Sequence, residues 1–336
     1  MNHNLYVISG VTGMTGSELA RHIVARNQTV LGFDNFFASS LDTVKDIIDN
    51  KHFLFFEYDL TNKKQMDAIS CYIREHAPKY EKVIFINCAA VVHTEYFYHI
   101  NTTFETNVSG MKAFLEQAIE LKAEQYINCS TSEIYSMHSF TENGGVKESD
   151  YALFATAEHS QRTSYAAGKL LTEFFMKDAI DSGRIKGCSI RFANVYSKNE
   201  RFSKHIIPHI ITSLYRDGKV ELLENARVNR RTFLHNYDSC AAVLALSDTE
   251  NVLDGSVYNV ATCEEIAIIQ LVKIISEKLG VHNPEIVFKG TRSADPERRL
   301  LNTDKLRSAT GWMPTISLSH GLDMCIEFLK ETTEYL

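Results

Sequence analysis

The sequence predicts a doubly wound α/β fold, an open parallel sheet with helices on both faces, and three observations predict it. Short apolar runs alternate with stretches of helical periodicity through the first two thirds of the chain. Gly10, Gly13 and Gly16 fall three residues apart where the first run gives way to the first helix. An acid, Asp34, then closes the second run.

Taken in order, Leu5 to Ile8 is the first strand and Glu18 to Ala25 has helical periodicity. Between them Gly10 permits a tight turn, Gly13 lets backbone amides approach a pyrophosphate, and Gly16 lets the helix lie close to the sheet. Thr12, Met14 and Thr15 share this turn, and the positive end of the helix dipole faces any phosphate there. Thr29 to Phe33 is the second strand, with Asp34 and Asn35 at its end. A carboxylate at that place accepts hydrogen bonds from adenosine ribose hydroxyls and repels a 2′-phosphate, which favours NAD over NADP. Glycines also serve ordinary strand–turn–helix corners; the flanking strands and the acid argue for the dinucleotide reading.

The alternation continues with strands at His52 to Tyr58, Val83 to Cys88, Gln125 to Cys129 and Gly187 to Phe192. Helices are expected at Lys63 to His76, Thr106 to Leu121 and Ser164 to Asp181. Strands separated by helices of this length need right-handed crossovers and hence a parallel sheet. Beyond Phe192 the pattern predicts helices at Ile206 to Tyr215, Asn236 to Ser247, Glu264 to Leu279 and Leu318 to Thr332, and short strands at Val220 to Leu223, Thr232 to Leu234 and Ser256 to Val260. The expected division is a dinucleotide-binding domain over 1–192 and a smaller substrate-covering region over 193–336 that partly returns to the sheet.

A hydrophobic content of 44% supplies ample core, while a net charge of −7 and a pI near 6.0 argue against nucleic acid as a partner. No apolar run reaches the ~20 residues of a membrane span. The first strand also follows Met1 closely, so a cytoplasmic protein without signal peptide is expected. The seven cysteines are odd in number and scattered, which suits buried reduced thiols. His205 and His209 have metal-compatible spacing but no companion ligands in the sequence, so no metal is expected.

Chemistry concentrates where the fifth strand ends, in Ser130-Thr131-Ser132-Glu133-Ile134-Tyr135. On the next helix Tyr165 and Lys169 stand at i, i+4, on one face. An ammonium beside a phenol favours the phenolate, so Tyr165 is a candidate base. An incidental surface pair has the same spacing.

The order of these motifs resembles that of the extended short-chain dehydrogenases/reductases, the nucleotide-sugar epimerase/dehydratase family. The resemblance rests on Gly10-x-x-Gly13-x-x-Gly16, Asp34, Asp59-Leu60, Asn87-Cys88-Ala89-Ala90, Asn107-Val108-x-Gly110, Thr131 and Tyr165-x-x-x-Lys169. It extends through Arg191-Phe192-x-Asn194-Val195-Tyr196, Arg231-Thr232-Phe233, Tyr258-Asn259-Val260, Asp295-Pro296-Glu297-Arg298-Arg299, Thr303-Asp304-Lys305 and Gly311-Trp312-x-Pro314. It implies a Rossmann domain that holds NAD through Gly10, Thr12, Gly13, Met14, Thr15, Gly16, Asp34, Asn35, Asp59, Leu60, Ala89, Ala90, Asn107, Tyr165 and Lys169. It implies that Thr131 binds a sugar 4-hydroxyl whose proton Tyr165 takes, and that His93, Ser132, Asn194, Arg231 and Arg299 bind a nucleotide diphosphate sugar. Surface ion pairing is the plainer reading of Arg231, Arg298 and Arg299.

Within the family, Glu133 is the residue that bears on the reaction. As a base at C5 of a 4-keto sugar it would make the enzyme a 4,6-dehydratase, the preferred reading. Thr-Ser-Glu is similar to the triplet in GDP-mannose dehydratases and in UDP-glucuronate decarboxylases, whereas many 4-epimerases have a small or uncharged residue at the third place. Decarboxylation and epimerisation are the alternatives, with a solvated loop carboxylate as the plain reading of Glu133. Ser132 replaces the Asp of dTDP-glucose dehydratases, which argues against that substrate. A non-catalytic NAD-binding redox sensor is the remote alternative; such proteins usually lack the Tyr/Lys pair. Ser136 and Ser197-Lys198 replace glycine and Gly-Pro of the family pattern, and both are expected beside the sugar pocket. The segment Glu148 to Arg162, with Tyr151, Phe154, Glu158 and His159, is also expected to line it. The resemblance further implies a homodimer through the Tyr165 and Thr106 to Leu121 helices.

Overall fold

The computed structural model describes residues 3–137, 144–200, 204–293 and 295–333. Numbered in chain order, the first six strands are β1 (Leu5–Ser9), β2 (Thr29–Asp34), β3 (Phe53–Glu57), β4 (Val83–Asn87), β5 (Gln125–Thr131) and β6 (Lys186–Phe192). The helices among them are α1 (Met14–Ala25), α2 (Lys63–His76), α3 (Ile100–Phe104), α4 (Met111–Glu120) and α5 (Ser164–Asp181). The later strands are β7 (Val195–Tyr196), β8 (Lys219–Leu222), β9 (Arg230–Thr232), β10 (Leu234–His235), β11 (Asp254–Val260), β12 (Glu265–Ala267) and β13 (Glu285–Phe288). With them come α6 (Ile206–Asp217), α7 (Asn236–Ser247), α8 (Ile268–Leu279), α9 (Asp304–Thr310) and α10 (Leu318–Thr333).

Seven strands form one parallel sheet in the order β11-β6-β5-β4-β1-β2-β3, the doubly wound arrangement expected. Its five inner strands are buried on both faces, and their side chains divide between the two by alternation. Tyr6, Ile8, Ile84, Ile86 and Ile127 face Leu19 and Ile23 of α1 and Val243 and Leu244 of α7. Leu5, Val7, Phe33, Phe85 and Tyr126 face Ile69 of α2, Phe114 of α4 and Met176 of α5. A separate core joins α6, α8 and α10 to β8 through Ile210, Leu222, Leu271, Ile275 and Leu322. The carboxyl ends of β1, β2, β4 and β5 thus face the side on which this second core sits, the ordinary ligand position of an open α/β sheet.

Four elements differ from expectation. Helix α1 starts at Met14, not Glu18, because its first turn borders a cleft and needs no apolar face. Helical structure before α4 begins at Ile100 and passes through a π-helical stretch, Glu105–Gly110, that carries Asn107. The expected Glu264 to Leu279 helix opens instead as β12, antiparallel to β9, with Glu265 held by Arg230 and Arg298; α8 begins at Ile268. The expected strand Thr232 to Leu234 divides at Phe233, with β9 pairing β12 and β10 pairing β7. Strand β11, from the later chain, joins the main sheet beside β6.

The glycine turn is fixed by contact. Gly10 has φ +69°, and a Cβ there would stand 2.7 Å from the Cα of Ala89. A Cβ on Gly16 would stand 2.2 Å from the Gly10 carbonyl oxygen and 2.7 Å from the Cα of Val11. Backbone atoms cannot rotate aside, so Gly16→Ala should lower stability by about 1–3 kcal/mol as overpacking does. Gly13→Ala, whose nearest atom lies at 3.2 Å, should cost less. Urea unfolding midpoints of the two variants check the order.

Candidate functional site

Two adjoining cavities lie beyond the carboxyl ends of the sheet strands. The first, about 370 Å³, is bordered by Gly10, Thr12 to Gly16, Asp34, Asn35, Asp59, Leu60, Ala89, Ala90 and His93, and reaches Thr131, Tyr165 and Lys169. The second, about 620 Å³, is bordered by Glu133, Arg231, Arg299, Lys289, Arg292 and Asp295. Asn194, Val195, Glu200 and His205 line both and mark their junction.

The first cavity suits a dinucleotide. The N-terminus of α1 carries no side-chain cap, so its first-turn amides remain for an anion. Asp34 accepts hydrogen bonds from the amides of Thr12 at 3.1 Å and Phe36 at 2.9 Å, which fix its carboxylate at the cleft wall. Asp59 accepts from Asn35 at 2.9 Å and from the Thr61 amide at 2.7 Å, tying the ends of β2 and β3 together. Asn107 is placed differently from expectation: it is buried behind the cleft. Its Oδ1 accepts from the Val91 amide at 2.7 Å and its Nδ2 donates to the Val91 carbonyl at 3.1 Å. It therefore shapes the Ala89 to Val91 wall without lining it.

Tyr165 is buried and stacks on Phe97 with ring centroids 4.4 Å apart. Burial pushes the phenol well above its ordinary value, the Glu133 carboxylate adds to that, and the nearby Thr131 hydroxyl opposes it. The ammonium expected beside the phenol is committed elsewhere: Lys169 Nζ donates to the Cys129 carbonyl at 2.6 Å, and burial lowers its pKa. One turn along α5, Glu173 enters a buried network. It accepts from Ser130 Oγ at 2.6 Å and from Arg191 Nε at 2.9 Å and Nη2 at 2.6 Å, while Arg191 Nη1 donates to the Tyr135 hydroxyl. Sequence reasoning gave Glu173 and Arg191 no role. A charged residue inside an apolar strand was the available signal, since such a group is buried only with a partner.

The second cavity holds opposed charges. Arg299 Nη1 donates to Glu133 Oε1 at 2.7 Å and Nη2 to Oε2 at 3.4 Å, with Arg299 almost fully buried. Burial works against the Arg299 charge, but the Glu133 pair prevails and raises its pKa. Arg231 donates to Asp295 at 2.9 Å, yet burial first and Arg299 second push it down to about 10. Two buried guanidiniums that repel one another form a place for an anion. Asn194, with φ +36°, has a buried Nδ2 without a hydrogen-bond partner at the same junction.

Several expected pocket residues lie elsewhere. Ser132 is buried and borders neither cavity, as are Ser136 and Ser197. Lys198 also stays out of both. Tyr151 is 87% exposed, and neither it nor Phe154, Glu158 and His159 reaches either cavity; Phe154 packs against Ile134 and Tyr135 instead. The Arg162 side chain lies outside the described residues. His205 pairs with Glu200, and His209 bonds the Glu221 carbonyl at 2.7 Å. Cys71 and Cys263 are exposed, unlike the buried thiols expected. Among the described residues, no helix is long and apolar enough to cross a membrane.

The sequence matches the NAD dependent epimerase/dehydratase family over residues 6–261. It is 22% identical to the low-salt glycan biosynthesis protein Agl12 of Haloferax volcanii, over 96% of this chain and 97% of that one. It is 22% identical to UDP-glucuronic acid decarboxylase 2 of Arabidopsis thaliana, over 97% of this chain and 68% of that one. The fold is similar to that of UDP-glucose 4-epimerase from Thermotoga maritima, with a TM-score of 0.85, 20% identity and coverage of 98% and 99% of the two chains. It is equally similar to dTDP-glucose 4,6-dehydratase from Streptomyces venezuelae, solved with NAD bound, at a TM-score of 0.84, 19% identity and 98% coverage of each chain.

Two outcomes are expected from this geometry. Arg191→Met should cost about 3–5 kcal/mol by stranding the Glu173 carboxylate, and adding Glu173→Leu should recover part of it; denaturant titration of the single and double variants measures both. In cofactor-free protein Tyr165 should ionise above its ordinary value of ~10. Glu133→Gln should bring it down by removing a neighbouring negative charge, and Thr131→Val should raise it further. Ultraviolet difference titration against the matching Tyr165→Phe variants reads the phenolate directly.

Proposed function

Because the chain belongs to the NAD dependent epimerase/dehydratase family, we propose that it oxidises a nucleotide-activated hexose at C4, eliminates water across C5 and C6, and returns the hydride to C6, so that the bound cofactor is reused. The observation that carries this reading is the meeting of Thr131, Tyr165 and Lys169 in one cleft with a second cavity walled by Arg231, Arg299 and Glu133. The family is NAD-dependent, and relatives include a dehydratase, a decarboxylase and an epimerase of nucleotide sugars.

Gly10, Thr12, Gly13, Met14, Thr15, Gly16, Asp34, Asn35, Asp59, Leu60, Ala89 and Ala90 would hold the dinucleotide. NAD supplies the hydride acceptor and, in its oxidised form, a positive ring. Tyr165 takes the proton of the sugar hydroxyl as C4 is oxidised, and Thr131 shares its hydrogen bonds between phenol and hydroxyl. Lys169 keeps positive charge beneath the site through its hold on the Cys129 carbonyl. Arg231, with Arg299 beside it, takes the diphosphate, whose charge relieves their repulsion. A ketone at C4 makes the C5 hydrogen acidic, and the Glu133 carboxylate removes it.

One observation favours a second reading. The Arg299 guanidinium already clasps a carboxylate on the cavity wall, and the same fork would hold a carboxylate at C6 of a uronic sugar. Oxidation at C4 turns such a sugar into a β-keto acid, which loses carbon dioxide. Incubation with a panel of nucleotide sugars separates the readings by product mass: loss of water, loss of carbon dioxide, or an unchanged mass with a new isomer. Tyr165→Phe should lower the rate by about 10²–10⁴-fold. Glu133→Gln should still reduce the bound cofactor, read by its absorbance at about 340 nm, but release no dehydrated product; full activity in that variant counts against the dehydratase.

We infer as well a cytoplasmic protein that acts as a homodimer. Phe174 and Leu171 of α5 and Ile100 and Phe104 of α3 are exposed large apolar groups on two helices that pack together. Phe174→Glu should turn a dimer into a monomer in sedimentation equilibrium without loss of helical circular dichroism.

A further inference from the structure

The chemistry described leaves two sulfur atoms unused at the base of the first cavity. Strands β4 and β5 are paired with Asn87 opposite Asn128, so Cys88 and Cys129 come next on the two strands, side by side. Their Sγ atoms are 3.9 Å apart, and both residues line the cleft with Gly10, Ala89 and Lys169. Neighbouring strands lie about 4.8 Å apart, inside the roughly 4.4–6.8 Å between Cα atoms that a disulfide spans. Cys88 is the first residue past β4 while Cys129 lies within β5, paired with Ile190 of β6, so sulfur approach needs side-chain rotation and a small shift of the Cys88 segment, and little from the sheet. The environment also favours reaction at one member: the Cys88 thiol, and after it the Lys169 ammonium, draw Cys129 below its ordinary range although burial opposes them. Cys88 is displaced upward by the same pairing and by burial. A shared proton between two thiols beside an ammonium is the setting in which one becomes the nucleophile.

We propose that Cys88 and Cys129 form a redox-active dithiol, a modification site for low-molecular-weight disulfides that enter through the cofactor cleft, and that bound NAD shields it. The thiolate of Cys129 attacks one sulfur of the small disulfide, forming a mixed disulfide and expelling one thiolate. Cys88 then gives its proton to solvent and attacks the Cys129 sulfur, expelling the second thiolate. The two cysteines lose two electrons and two protons, and the small disulfide leaves as two thiols. The shielding rests on the reading of this cleft as the NAD site; the dithiol step does not.

The test uses the full chain with the exposed cysteines removed, Cys71→Ser with Cys263→Ser, and oxidised glutathione as the reagent, followed by peptide mapping without reduction. The expected result is a linked Cys88–Cys129 peptide that disappears on treatment with dithiothreitol. It should form about tenfold more slowly when NAD is present at roughly ten times its Kd, with binding verified by calorimetry. Adding Cys88→Ala should halt the reaction at glutathione joined to Cys129. No linked peptide in NAD-free protein overturns the dithiol. Equal rates with and without calorimetrically bound NAD overturn the shielding. Absence of NAD binding sinks the reading of the cleft and the shielding with it, while presence or absence of the linked peptide still decides the sulfur chemistry.

Discussion

The buried pair of Glu173 and Arg191 is the contact on which the geometry of the site depends. It joins α5, which carries Tyr165 and Lys169, to β6, and through Ser130 to the end of β5. Arg191 also reaches the Tyr135 hydroxyl, so the short turn bearing Thr131 and Glu133 is held at both ends. Two charges withdrawn from water are costly, and their mutual attraction offsets this only where the remaining lone pairs and protons are also satisfied. Here Ser130 and Tyr135 satisfy them. The network thus converts a costly burial into a fixed spacing between the helix that carries Tyr165 and the turn that carries Thr131 and Glu133.

A different balance governs the second cavity. Arg231 and Arg299 stand close enough to disfavour one another's charge, with Asp295 and Glu133 as their counterions. Each counterion is therefore something an incoming anion can replace. A diphosphate entering between the guanidiniums would loosen the hold on Glu133 and leave its carboxylate more basic, so that substrate binding itself prepares the residue assigned to C5. The interaction that fills the cavity in the structure and the one that serves the proposed reaction compete for the same fork.

The fold was largely legible because its cause is local. Alternating apolar runs and the Gly10 to Gly16 turn specify strand, corner and helix within a few residues of one another, and Ser164–Asp181 and Asn236–Ser247 lie where periodicity puts them. The later chain was less legible, since β9, β10 and β12 are two- or three-residue strands whose existence depends on partners far away in sequence. The site divided in the same way. Turn and strand-end residues border the cleft as expected. Asn107 and Ser132 do not, because a motif gives the order of residues and not the side of the wall on which each side chain falls. Glu133 and Arg299 are 166 residues apart in the chain, and no spacing rule connects the two.

Tyr165, by contrast, was found by its spacing, yet its surroundings run against the role that spacing suggests. It has what a base should not have: full burial and a carboxylate nearby, both of which keep it protonated. The Lys169 ammonium, held beneath the site by the Cys129 carbonyl, does not outweigh them. What can reverse the balance is a positive charge delivered against the phenol, and the cleft it faces is the one suited to NAD. In the proposed reaction such a phenol would stay protonated until the dinucleotide is in place. A sugar alcohol that arrived before it would meet a neutral phenol, which would tie proton removal to the presence of the group that accepts the hydride.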